Sequence, residues 1–305
     1  MRVAKRIFLF VVINLLVMVT LSLILNLLNL KPYLSSYGLN YRSLMIFCLI
    51  WGMGGALISL SLSRIMAKWL MGVKIIDSDT KEPQLRRLID TVYSLARDAR
   101  LPDMPQVGIY ESAEVNAFAT GPTRRRSLVA VSTGLLNRMS PKELEGVLAH
   151  EITHVANGDM VTMTLIQGIV NAFVMFLARI LAFGLSGLGR SRNESSSGGS
   201  YIGYTLFVFL FEVVFMILGS LVIFWFSRIR EFRADAGGAH LVGKNKMIAA
   251  LESLRSYQKY RDQRAEKPSF EAMKISTSNR SGLMKFFSSH PPLEERIARL
   301  NEGNF

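Results

Sequence analysis

Residues 140–159 read Ser-Pro-Lys-Glu-Leu-Glu-Gly-Val-Leu-Ala-His-Glu-Ile-Thr-His-Val-Ala-Asn-Gly-Asp. Ser140 and Glu143 form an S-x-x-E capping box, and Pro141 takes the first helical position. Leu144, Val147, Leu148 and Ile152 recur at helical spacing, so the stretch predicts a helix. On a helix, His150 and His154 stand on one face at i and i+4, close enough to bind one metal ion. Glu151 follows the first histidine and can act as a general base. This is the H-E-x-x-H pattern of zinc peptidases. Only four histidines occur in the chain, and two of them fall at this spacing. The bland alternative is a pair of helix-face histidines that only pack or hydrogen bond.

Two histidines do not complete a catalytic zinc site, which takes three protein ligands. In one class the third is a histidine in H-E-x-x-H-x-x-G-x-x-H. Here Asn157 and Met160 occupy those glycine and histidine positions, so that pattern fails. The other class takes a glutamate from a second helix. Glu231 is a candidate in the run Arg230-Glu231-Phe232-Arg233-Ala234-Asp235. Asp235 shares its face and could accept the free N–H of a ligand histidine. A surface patch of acids paired with Arg230 and Arg233 is the competing reading.

The motif runs into an apolar region. The chain has 305 residues, half of them hydrophobic, and a mean hydropathy of +0.28, too apolar for an ordinary soluble enzyme. Residues 7–30 and 44–62 are each long enough to span a bilayer. The first follows Arg2, Lys5 and Arg6, exceeds a signal-peptide core and lacks a small-residue cleavage site, so it reads as an anchor. Residues 160–188 and 201–226 form two further spans, interrupted by Arg179 and Glu212, which predicts that these two charges pair. A buried soluble hairpin is the alternative for this second pair.

The net charge of +13 lies beside the apolar runs: Arg64, Lys68 and Lys74 after the second, Arg228, Arg230 and Arg233 after the fourth. This suits anionic lipid headgroups and argues against nucleic acid as a partner. The positive-inside rule places both termini and residues 72–159 in the cytoplasm. The single cysteine, Cys48, excludes an intrachain disulfide and a thiolate zinc site. The chain thus divides into an N-terminal transmembrane hairpin (1–71), a cytoplasmic part with the motif helix (72–159), a second apolar hairpin (160–226) and a second cytoplasmic part (227–305). If the second hairpin is antiparallel, its cytoplasmic ends bring His150, His154 and Glu231 together.

In the soluble parts, residues 80–100 predict a helix, and 106–110 and 127–132 predict short strands. Between the strands, Asn116-Ala117-Phe118-Ala119-Thr120-Gly121 reads as an edge strand ended by Gly121-Pro122, where a peptide could bind by strand addition. A plain hairpin arm is the alternative. Residues 239–260 predict a helix, 261–285 a loop, and Ser289-His290-Pro291-Pro292 opens a last helix. His290 is either a cap residue or a group that reaches the zinc site to stabilise an oxyanion.

Taken together, Asn116 to Gly121, Gly146-Val147-Leu148-Ala149 before the motif, Asn157-Gly158-Asp159, Glu231 to Asp235 and His290-Pro291-Pro292-Leu293 resemble the HtpX-type membrane metalloproteases of bacteria, relatives of the CAAX prenyl endopeptidases. The resemblance covers essentially the whole chain. It implies a mainly α membrane protein with four transmembrane helices and an α+β, gluzincin-like cytoplasmic zinc-peptidase domain in the inner membrane. Implied are one zinc ion held by His150, His154 and Glu231, Glu151 as base, and Asp235 behind a ligand. Residues Asn116, Ala117, Phe118 and Ala119 would align substrate, and His290 would aid the transition state. Polypeptide substrates, above all damaged membrane proteins, and quality-control partners follow from it. Rival readings are a non-hydrolytic zinc scaffold, an intramembrane protease and a protease of prenylated C-termini. Three ligands with a base disfavour the first, Lys142, Glu143 and Glu145 on the motif helix the second, and too few spans the third.

Overall fold

The computed structural model describes residues 41–188, 197–265 and 290–303. The expected first span, residues 7–30, and most of the expected 261–285 loop lie outside them. The chain separates into two compact units, Met1–Ser59 with Met163–Ile223, and Leu60–Thr162 with Phe224–Phe305.

The first unit is built from parts of three helices: α1 (Tyr41–Leu70), α5 (Asp159–Leu188) and α6 (Ser197–Val242). Each contains a stretch long and apolar enough to cross a membrane: Ser43–Leu70, Asp159–Phe183 and Gly203–Val242. Their outer faces carry bare apolar side chains, among them Phe173, Leu206, Phe209 and Met216, as expected where lipid is the solvent. Small residues let α1 and α5 pack backbone to backbone. A Cβ on Gly52 would stand 2.6 Å from the Ala172 amide nitrogen. Arg179 Nη1 donates to Glu212 Oε1 at 2.7 Å, so the expected pair between the two apolar helices is present.

The second unit is α+β. Its sheet has strands β1 (Lys74–Ile75), β2 (Gln106–Tyr110), β3 (Ala117–Thr123) and β4 (Arg126–Ser132), in the order β1-β2-β4-β3. β2 and β4 are parallel, and β3 runs antiparallel to β4 at one edge. Around it lie α2 (Pro83–Asp98), α3 (Thr133–Arg138), α4 (Pro141–Asn157), α7 (Lys244–Ala265) and α8 (Leu293–Glu302). The core joins Leu88 and Val92 of α2, Val129 and Val131 of β4, and Leu148 and Ile152 of α4, all almost fully buried.

The edge strand departs from its expected form. Instead of ending at Gly121-Pro122 it runs through both to Thr123, with a register shift between Thr120 and Thr123. Gly121 sits at φ +143 in this irregularity, and Pro122 can be carried because an edge strand need not donate every N–H. The helix expected over 239–260 is also two helices. Gly243, at φ +90, separates α6 from α7.

Candidate active site

α4 begins with the expected capping box, in which the Ser140 N–H donates to Glu143 Oε2 at 2.7 Å. It ends at Gly158, a left-handed cap with φ +70. The last two turns of α4 carry His150, Glu151 and His154. The polar end of α6 approaches this face because Gly237 has no side chain, and a Cβ there would stand 2.3 Å from Thr153 Cγ2.

Glu231, Asp235 and the two histidines are all buried. His150 Nε2 lies 3.1 Å from His154 Nε2. The same nitrogens lie 3.4 Å from Glu231 Oε2 and Oε1 respectively. One ligand atom from each of His150, His154 and Glu231 falls within 4.8 Å of the others. Donors bound tetrahedrally at 2.0–2.1 Å stand about 3.3 Å apart, which matches these separations.

The outer nitrogens face carboxylates. His150 Nδ1 is 3.0 Å from Asp235 Oδ1, and His154 Nδ1 is 2.5 Å from Asp159 Oδ2. A carboxylate only accepts, so in the neutral ring each Nδ1 carries the proton and each Nε2 has a lone pair to present inward. Two lone pairs and a carboxylate then converge, an arrangement that fits a cation. The field tells the same story at His154. Burial pushes its pKa down, but Asp159 and Glu231 outweigh burial and raise it to about 9. A positive charge is favoured at this point, and a metal ion meets that demand without a proton.

Asp235 is held in turn. Arg296 of α8 grips it with a planar fork, Nε to Oδ2 at 2.7 Å and Nη2 to Oδ1 at 2.6 Å. Burial opposes the guanidinium charge, yet the bond to Asp235 raises its pKa further. His290 sits at the rim with an exposed side chain, its Nδ1 2.9 Å from Glu231 Oε2.

Glu151 connects the motif helix to the edge strand, where its Oε2 accepts the Ala119 N–H at 2.8 Å. Asn116 precedes β3 and pairs with Ser132, whose N–H donates to the Asn116 carbonyl at 2.9 Å. Alternation along an antiparallel strand then turns the peptide groups of Ala117 and Ala119 outward, away from β4.

Residues 80–303 match the model of Peptidase family M48. The chain belongs to peptidase family M48. As such it is a membrane-bound metalloprotease acting on polypeptides. It is 47% identical over 300 residues to "Protease HtpX homolog" of Methylacidiphilum infernorum (isolate V4), covering 97% of this chain and 98% of the relative. It is 48% identical over 304 residues to "Protease HtpX homolog" of Bacillus subtilis (strain 168), covering 97% and 99%. Its fold resembles the crystal structure of S. mikatae Ste24p, with TM-score 0.64 and 21% identity, over 97% of this chain and 67% of that one.

Two residues of this cluster had been given no role from the sequence. Asp159 was in plain view: the helix had to end at Gly158, which puts the next acid within reach of His154. Arg296 carried no local signal, being 61 positions from the aspartate it holds.

Proposed function

We propose that this M48 peptidase is a one-zinc endopeptidase of the bacterial inner membrane. His150, His154 and Glu231 hold the ion, and the convergence of their donor atoms within 4.8 Å carries the reading. Bound zinc would supply a Lewis acid for the scissile carbonyl and acidify water at the site.

The chain's own residues do the rest. Glu151 takes a proton from the attacking water and returns it to the departing amine. Its hydrogen bond to Ala119 N–H fixes the carboxylate beside the strand that aligns the substrate. Residues 116–119 receive the polypeptide in extended form, through the outward peptide group of Ala117 and the outward carbonyl of Ala119. Asp235 and Asp159 fix the ring orientation and tautomer of the two histidines. His290, at the rim, donates to the oxyanion as it forms.

The charge pattern around the apolar stretches supports a multi-pass protein with four spans, the site and both termini in the cytoplasm. Domain limits at 71, 159 and 226 belong to the same reading. Its substrates are damaged or misassembled membrane proteins, and its role is membrane quality control.

The test is Glu151→Gln in full-length protein in detergent. Bound zinc and melting behaviour stay as in wild type, while cleavage of an unfolded membrane protein falls by about 10²- to 10⁴-fold. Undiminished cleavage by that variant would remove Glu151 from the chemistry. Loss of zinc together with cleavage would make it structural.

A further inference from the structure

We infer that the β3–β4 turn and the first turn of α5 form a binding site for the phosphate headgroup of an anionic phospholipid. The turn is Thr123-Arg124-Arg125-Arg126, with Thr123 paired to Arg126, so two arginines make up the whole loop. Two-residue hairpin loops favour glycine or asparagine at positive φ. Here neither arginine has positive φ. The backbone therefore gives no reason for arginine at either position.

Arg124, Arg125 and Arg126 are exposed. Among the described residues, neither Arg124 nor Arg125 has an ion-pair partner. Both line a cleft of about 690 Å³ whose opposite wall is Asn157, Gly158, Val161 and Thr162. Arg124 Nε stands 3.2 Å from where a Gly158 Cβ would be, so the glycine leaves room for the guanidinium. The two guanidiniums and the Asn157 amide are donors suited to phosphate oxygens.

Position selects the source of the phosphate. Val161 and Thr162 belong to the first turn of Asp159–Phe183, a stretch long and apolar enough to cross a membrane. A helix that enters a bilayer brings its first turn to headgroup level, where anionic lipids attract arginine. The inference rests on this membrane entry and not on the peptidase chemistry, so the two can fail separately.

The experiment is native mass spectrometry of the full chain released from neutral detergent, with equal phosphatidylglycerol and phosphatidylcholine added. Wild type retains phosphatidylglycerol preferentially. R124Q/R125Q loses that preference by roughly twenty-five-fold, about five-fold per charge. R124K/R125K keeps most of it, which separates lost charge from lost fold. Unchanged preference in R124Q/R125Q overturns the assignment. So does displacement of the lipid by equimolar soluble glycerol phosphate, which would make the cleft a site for free phosphate. A third result would also overturn it: unchanged lipid retention with impaired cleavage of acidic peptides in detergent, which would make the cleft a substrate contact.

Discussion

Two ion pairs, one in each unit, show how differently this chain uses charge away from water. Arg296 and Asp235 are each under a tenth exposed and joined by two short hydrogen bonds. Asp235 also holds His150, and His150 faces Glu231. Arg179 and Glu212 meet through one bond between apolar helices, with side chains 20% and 26% exposed. Arg179 Nη1 also donates to its own helix, to the Met175 carbonyl at 2.9 Å, and its guanidinium lies 5.9 Å from the Phe47 ring. The first pair belongs to a network that orients a ligand, so losing one partner disturbs several bonds. The second joins two helices and reaches a third only through the Phe47 ring, so its loss stays local.

The largest effect is therefore expected at Arg296. Arg296→Met leaves the Asp235 carboxylate buried without its counter-charge, at a cost of about 3–5 kcal/mol of stability. Arg296→Met with Asp235→Leu removes both charges and recovers much of that loss in thermal unfolding, while metal affinity stays weak because His150 has lost its acceptor. If the double variant is no more stable than the single one, the burial argument is wrong. Asp159→Asn is milder. It leaves the ligands in place but weakens the anchor of His154, lowering metal affinity by about 10- to 100-fold in a competition titration. In the metal-free protein the same change lowers the His154 pKa from about 9, because Asp159 is the strongest influence raising it. An NMR titration of that ring reads the shift. An unmoved pKa would mean that Glu231, not Asp159, sets the charge.

A smaller effect is expected at Ala119, whose N–H holds Glu151. Ala119→Pro removes that donor at an outward position of the edge strand, where no bond to β4 is lost. The base loses its anchor, so kcat falls by roughly ten-fold while bound metal is unchanged. A change confined to KM would mean that the amide serves the substrate alone.

How much of this was legible follows the range of the signals. α4 could be read because its cap, its apolar spacing and its terminating glycine all lie within twenty residues. β2 and β4 were bounded by turn residues, and the alternation of Arg179 and Glu212 with long apolar runs exposed their pairing. The passage of β3 through Pro122 was not legible, because a proline normally stops a strand and only its edge position permits it. The break at Gly243 was hidden inside a good helical pattern. Arg296 was hidden by distance, since no periodicity connects α8 to Asp235. The candidate ligands on α4 followed from i and i+4 spacing, whereas the grip on their partner depends on tertiary packing.

The smallest expected effect tests the apolar half of the comparison. In the double-mutant cycle of Arg179→Ala and Glu212→Ala, the coupling should be about 1 kcal/mol. Two considerations keep it small. Polar contacts between membrane helices couple weakly, because a residue that loses one partner finds another among the packed helices. Arg179 keeps its bond to the Met175 carbonyl when Glu212 is gone. A single bond in an apolar setting therefore holds less than its 2.7 Å length suggests. A coupling of several kcal/mol, comparable to the loss at Arg296, would erase the distinction between the two units and make Arg179 and Glu212 part of a larger network. A coupling near zero would leave the two charges as independent residents of the apolar helices, each satisfied by its own surroundings.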